Sequence, residues 1–325
     1  MTIIWVALIA LIVLLLYFDL VVLHKKGEVT HKRTAYETIF WVSVALAFTG
    51  VIYLLYDNNL VNNPTQLTAK GAALKYLTGY LVELSLSVDN LFVIAMIFKS
   101  QKIPLKYQHK TLFYGILGAI FFRGLMIAIG VVLINKLDWM PYVFGVFLIF
   151  TGLKMLYDEL KHKKIAEDPE IKESFANRTM RKYVSFTKTL HGDKFFIREH
   201  GKLLATPLFA ALVLIELTDL LFAVDSIPAI LGITKDAFLV FNATIFATLG
   251  LRAMYFFLAN MLEKFHYLKY SVFVILLYIG MKLILMHHIE IPEWFSLSVI
   301  FVSLMAGLLV SWYNIRKAEN ITPTT

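Results

Sequence analysis

The chain has 325 residues, 59% of them hydrophobic, 14% aromatic and only 17% charged, with a mean hydropathy of +0.70. Soluble domains run at roughly 45–50% apolar and about 25% charged, so this balance points to lipid rather than to one or two soluble domains. The sequence has no cysteine, which excludes disulfides, thiolate metal sites and thiol catalysis, and its formal charge of +8 gathers in short polar segments, the mark of membrane orientation rather than a nucleic-acid surface.

A membrane-crossing helix needs roughly 20 mainly apolar residues. In chain order the qualifying stretches are 3–23, 39–56, 72–98, 111–134, 141–157, 207–231, 237–260, 271–287 and 294–313. The first has no Lys or Arg before it and no small-residue cleavage site, so it reads as a span and not a signal peptide. Asp19, late in that span, is expected at the water interface.

Basic residues alternate between connections. Lys25, Lys26, Lys32 and Arg33 follow the first span, whereas 57–69 has none. Lys99, Lys102, Lys106 and Lys110 crowd the third connection, and 159–205 carries eleven Lys or Arg. Arg316 and Lys317 close the chain. The positive-inside rule then predicts an external N-terminus and a cytoplasmic C-terminus. The second half of 159–205 predicts a hairpin, with strands over 183–187 and 194–198 about His191-Gly192-Asp193.

The third and sixth spans share a pattern. Val88-Asp89-Asn90-Leu91 matches Val224-Asp225-Ser226-Ile227, and six residues before each aspartate stands another acid, Glu83 and Asp219. The next span in each case holds one arginine, Arg123 and Arg252, and the one after it a Gly-x-Lys at Gly152–Lys154 and Gly280–Lys282. A repeat of three spans enters the membrane from opposite sides, the inverted topology of alternating-access carriers. The expected fold is therefore an all-α polytopic membrane helix bundle of about nine helices with an inverted repeat of three. Its units are two N-terminal helices (1–70), the first repeat (71–158), a basic cytoplasmic loop (159–205), the second repeat (206–288) and a last helix with its tail (289–325).

Ionised side chains at the centre of a span cost about 2.5–3.5 kcal/mol each on insertion scales. Glu83, Asp89, Glu216, Asp219 and Asp225 must therefore be paired, protonated or bound to a cation. Glu83 and Asn90 are seven residues apart on one helix face; Glu216 and Asp219 share another. Pro228 removes a helical hydrogen bond just after Asp225 and Ser226, so a broken turn there is expected to re-aim Asp225. Carboxylate, amide, hydroxyl and carbonyl oxygens make a hard site for Mg2+, Ca2+ or Mn2+. Arg123 and Arg252 are expected as ion-pair partners that a cation displaces, while Lys154 and Lys282 reach for the interface. A carboxylate that trades a proton for the metal would couple the two flows, with Asp19 a further candidate.

At these residues the sequence resembles the TerC family of membrane proteins, named for tellurium resistance. The matching segments are Glu83-Leu-Ser-Leu-Ser-Val-Asp89-Asn90 and Glu216-Leu-Thr-Asp219-Leu-Leu-Phe-Ala-Val-Asp225-Ser226-Ile-Pro228-Ala, with Phe18-Asp19-Leu20, Gln108-His109 and Ala205-Thr206-Pro207-Leu208 beside them. The similarity is greatest to the alkali-inducible manganese exporters of bacteria. It implies Mn2+ efflux across the bacterial inner membrane, with Glu83, Asp89, Asn90, Glu216, Asp219 and Asp225 as site residues. The cation is then cargo, no cofactor is expected, and the expected partners are the lipid bilayer and the cation, with a homo-oligomer left open. Tellurite, an oxyanion, does not suit a core dominated by acids. Two other classes stand beside the non-enzymatic transporter: a membrane scaffold for stress or tellurium resistance, and an intramembrane enzyme using Asp89 and Asp225 as an acid–base pair.

Overall fold

In hydrocarbon a backbone N–H has only its own protein's carbonyls to bond, which is why the apolar stretches fold as helices. The computed structural model describes residues 2–21, 31–63, 65–137, 139–162, 187, 190–199, 202–258, 268–285, 289 and 291–321. Among these residues the helices are α1 (Thr2–Val21), α2 (His31–Asp57), α3 (Ala69–Ser100), α4 (Leu105–Lys136), α5 (Met140–His162), α6 (Pro207–Leu231), α7 (Ala237–Leu258), α8 (Leu268–Leu285) and α9 (Glu293–Ile321). Helices α2, α4, α6, α7 and α9 are each long and apolar enough to cross a membrane, and shorter apolar segments lie in α1, α5 and α8. At 1.5 Å per residue the 32 residues of α3 reach about 48 Å, with Glu83, Ser85, Ser87 and Asn90 midway.

Helix α3 packs on α2, α6 and α7, while α4 packs on α6 and α7. Helix α5 lies along α8, and α9 covers α8 and α3. One apolar cluster joins Trp41, Phe48, Tyr76 and Phe246, with Phe48 stacked on Phe246 at 4.2 Å between centroids. Another gathers Leu91, Phe98, Leu112, Leu214 and Tyr255 at the other end of α3. Phe121, Leu125, Phe150, Leu221 and Val302 point outward instead, the surface a bilayer would solvate.

The α5–α8 contact depends on two glycines. A Cβ at Gly145 would lie 2.8 Å from the carbonyl oxygen of Gly280, and one at Gly280 would lie 2.8 Å from that of Gly145. Only hydrogen at both positions permits this approach. The start of α7 is fixed by Asp236, whose Oδ1 accepts the Phe238 N–H at 2.9 Å while Oδ2 accepts the Tyr56 hydroxyl at 2.7 Å. That carboxylate is a helix cap.

One local expectation needs correction. Helix α6 continues through Pro228 to Leu231, so Asp225 sits in regular helix and no turn is unwound there. Proline removes one bond, and the dense packing of residues 226–231 holds the helix together. In the basic loop, β1 (Phe196–Glu199) pairs antiparallel with β2 (Lys202–Ala205), the residues after it. Of the expected first strand only Thr187 is described; its N–H donates to the Ala205 carbonyl at 2.9 Å. A turn does lie at His191-Gly192-Asp193, with Gly192 at φ +63°. Lys110 of α4 fastens this segment by donating to the Asp193 carbonyl at 2.7 Å and its carboxylate at 3.0 Å. The same bond holds the Asp193 carboxyl below its ordinary range.

Candidate cation site

Helix α3 brings Glu83 and Asn90 to one face, as their spacing predicts, and that face meets Asp219 of α6. Arg123 of α4 closes the group. Its Nε donates to Asp219 Oδ2 at 3.0 Å, its Nη2 to Asp219 Oδ1 at 2.7 Å, and its Nη1 pairs with Glu83 Oε1. Asn90 Nδ2 donates to Asp219 Oδ1 at 2.9 Å. The four residues are nearly sealed from water, at 1% (Glu83, Asn90), 2% (Arg123) and 5% (Asp219) exposure. One guanidinium thus serves two carboxylates, which leaves a negative excess when both are ionised.

Several buried acceptors nearby have no hydrogen-bond partner among the described residues: Glu83 Oε2, Ser87 Oγ and Asn90 Oδ1 on α3, and Glu216 Oε2 and Ser226 Oγ on α6. The Glu216 carboxylate lies against Gly118 of α4, where any Cβ would overlap it. Sequence reasoning passes over Gly118; its only signal is a small residue one turn and a half before Arg123.

The expected six-residue cluster is only partly assembled. Glu83, Asn90 and Asp219 converge on Arg123, and Glu216 lies on the same α4–α6 interface. Asp225 turns instead toward α5, where Thr151 Oγ1 donates to its Oδ1 at 3.4 Å. Asp89 belongs to α3, but its side chain lies outside the described residues. Among the described residues no three His, Asp or Glu side chains converge as a metal-holding group in this conformation. Lys154 is exposed, and Lys282 donates to Ser296 Oγ of α9 at 3.0 Å.

Asp19 is not solvated as expected. It is 3% exposed and pairs with Arg252 of α7 at 2.5 Å, while Arg252 also donates to the Asp19 carbonyl at 3.2 Å. Burial against α2 and α7 makes that pairing necessary. Arg252 in turn lines a cavity of about 20 Å³, room for one water, together with Asn90, Asp219 and Thr248. Beyond it, toward the α4 N-terminus, the Tyr255 hydroxyl donates to Gln108 Oε1 at 2.9 Å.

The chain matches the Integral membrane protein TerC family over residues 68–319. It is 43% identical over 308 residues to an uncharacterized membrane protein of Rickettsia bellii, covering 94% of this chain and 96% of that one. It is 40% identical over 315 residues to Alx of Escherichia coli strain K12, named there as a proposed membrane-bound redox modulator, covering 96% of this chain and 95% of that one. No solved structure matches it. With a family match over more than half its length and relatives aligned along nearly all of it, this chain belongs to the TerC family of integral membrane proteins.

Proposed function

We propose that the chain is a secondary transporter that exports a divalent cation, Mn2+ foremost, from the cytoplasm in exchange for protons. The observation that carries this reading is the shared guanidinium. Glu83 and Asp219, from two helices with matching motifs, are buried with one Arg123 between them and with unpartnered oxygens at Glu83, Asn90 and Glu216. A buried excess of negative charge calls for a proton or a cation. The donors are all hard oxygens, which favours Mg2+, Ca2+ or Mn2+ over thiophilic metals. Among these, Mn2+ is the cargo that the resemblance to manganese exporters implies. In this conformation Arg123 holds both acids, so loading requires the cation to displace it. Asp225, turned toward Thr151 of α5, belongs to the path rather than to the central group, and Asp89 stays a candidate ligand.

Two observations support the inverted repeat and nine crossings. The packing is reciprocal: exchanging α3, α4, α5 with α6, α7, α8 turns the α3–α7 contact into the α6–α4 contact, and α5–α8 into itself. Residues of the α1 start (Ile4, Trp5), the α2–α3 connection (Leu60–Asn62) and the α7 start (Asp236–Phe238) line one cavity of about 200 Å³, so these segments share one end of the bundle. That end is poor in basic residues and is taken as external; the end carrying Lys110 and Asp193 is taken as cytoplasmic, in a bacterial inner membrane.

The name of the Alx relative raises a second reading, membrane redox modulation. A thiol route is closed to this sequence, which has no cysteine. The assay is counterflow of Mn2+ in liposomes containing the purified chain. Cation-dependent flux that falls at least about tenfold in E83Q and D219N supports the transporter; flux equal to empty liposomes, or unchanged in both variants, overturns it.

A further inference from the structure

The β1–β2 hairpin presents an apolar face that the helices leave open, with Phe196 43% and Leu203 62% exposed. We propose that this face, which carries Phe196, Arg198 and Leu203, is a docking surface for anionic phospholipid and seats the hairpin in the headgroup layer beside α6. The proposal is independent of the cation-transport reading.

Two short strands are marginal in water without an apolar surface to lie on. In the register that sets Phe196 opposite Ala205 and Arg198 opposite Leu203, alternation puts Phe196, Arg198 and Leu203 on one side. Ile197, Glu199 and Leu204 take the other, where Ile197 and Leu204 are half-buried. The position of the hairpin is fixed at its base. Thr206, the residue before α6, donates its N–H to the Phe195 carbonyl at 2.9 Å and its hydroxyl to the Lys194 carbonyl at 2.7 Å. The Phe196 ring then lies 4.5 Å, centroid to centroid, from that of Phe209 in the first turn of α6. Steps of four along α6 lead from Phe209 through Val213 to Leu217, 46% exposed on the surface a bilayer would solvate. The open face of the hairpin thus continues the lipid-facing side of α6 at the point where that helix begins. Charge selects the lipid. Lys102, Lys106, Lys194 and Arg198 are exposed at this same end; of the acids nearby, Asp193 is held by Lys110 and Glu199 belongs to the opposite side of the hairpin. Basic groups over an apolar face match anionic headgroups over acyl chains. A nucleic acid would satisfy the charge and leave Phe196 and Leu203 in water.

The test is nitroxide labelling of the full chain, which has no cysteine of its own, in nanodiscs of phosphatidylcholine with or without phosphatidylglycerol. One label goes on L203C, on the open face, and one on E199C, on the other. With phosphatidylglycerol, the ratio of oxygen to aqueous nickel-chelate collisions at L203C is expected to exceed that at E199C by at least about threefold, as for a side chain about 5–10 Å into the interface. A basic side chain near an anionic leaflet changes partition by about fivefold, so R198Q should lower the immersed-to-aqueous ratio of the L203C label about fivefold with phosphatidylglycerol and leave it unchanged without it. Should L203C fail to fold, F196C takes its place on the same face. Nickel-chelate access at L203C equal to that at E199C overturns the proposal. A label sheltered from both oxygen and nickel, the mark of protein covering this face, overturns it as well. So does immersion indifferent to both phosphatidylglycerol and R198Q. None of these readouts involves Mn2+ flux, so their failure leaves the transporter reading intact.

Discussion

Arg123 is the residue on which the site turns, because it pairs with two buried acids at once. Removing it leaves both carboxylates without their counter-charge, a change that costs about 3–5 kcal/mol in comparable buried pairs. R123Q is therefore expected to melt well below the wild type in metal-free buffer and to recover on adding Mn2+, with a larger cation-induced rise in Tm than the wild type shows. A fall in Tm that Mn2+ does not reverse would mean that Arg123 is simply structural. Gly118 makes a second test. G118A pushes a methyl group onto the Glu216 carboxylate, the flexible end of a side chain, so stability should change by about 1 kcal/mol or less. Counterflow should nevertheless show weakened apparent cation affinity; unchanged affinity would remove Glu216 from the site. Much of this was legible in the sequence. The seven-residue step from Glu83 to Asn90 placed them together, and rare charges in apolar runs marked Asp219 and Arg123. The Asp19–Arg252 pair was hidden, since its members lie 233 residues apart and only one belongs to the repeat. Glu216 and Asp219 share a helix face, yet Arg123 selects the second and Gly118 receives the first, a choice made by α4 and not by spacing.

At the scale of elements, the helices follow from apolar length, but their pairings follow from small residues and caps. The reciprocal approach of Gly145 and Gly280 brings backbone against backbone, so G280V forces a main-chain shift rather than a side-chain one. It should cost about 1–3 kcal/mol or more and separate α5 from α8. An unchanged melting profile for G280V in detergent would contradict this contact. The Gly-x-Lys pattern marks Gly280 in the sequence but not Gly145, the glycine it meets. Pro228 misleads in the opposite sense: its chemistry predicts a break, while packing along residues 226–231 keeps α6 continuous. In the basic loop the pairing of β1 with β2 is not legible in the sequence, because period-two alternation over four residues is too short to fix a partner.

For the molecule as a whole, the contacts among α3–α8 map onto one another when the two triplets are exchanged, as the proposed inverted repeat requires. The proposed orientation rests on charge, and a chain without cysteine makes it directly testable. A thiol introduced at Asn62 should react with an impermeant maleimide in intact cells, and one at Asp193 only after the membrane is opened. The reverse pattern would invert the proposed direction of transport.

The central claim is that a divalent cation displaces Arg123 and lodges between α3 and α6. Anomalous scattering at the manganese edge from Mn2+-soaked crystals tests it most directly. The account predicts a peak within about 2.6 Å of oxygens from Glu83 and Asp219, with Arg123 swung away. A peak elsewhere, or none while Arg123 still bridges both acids, would contradict it.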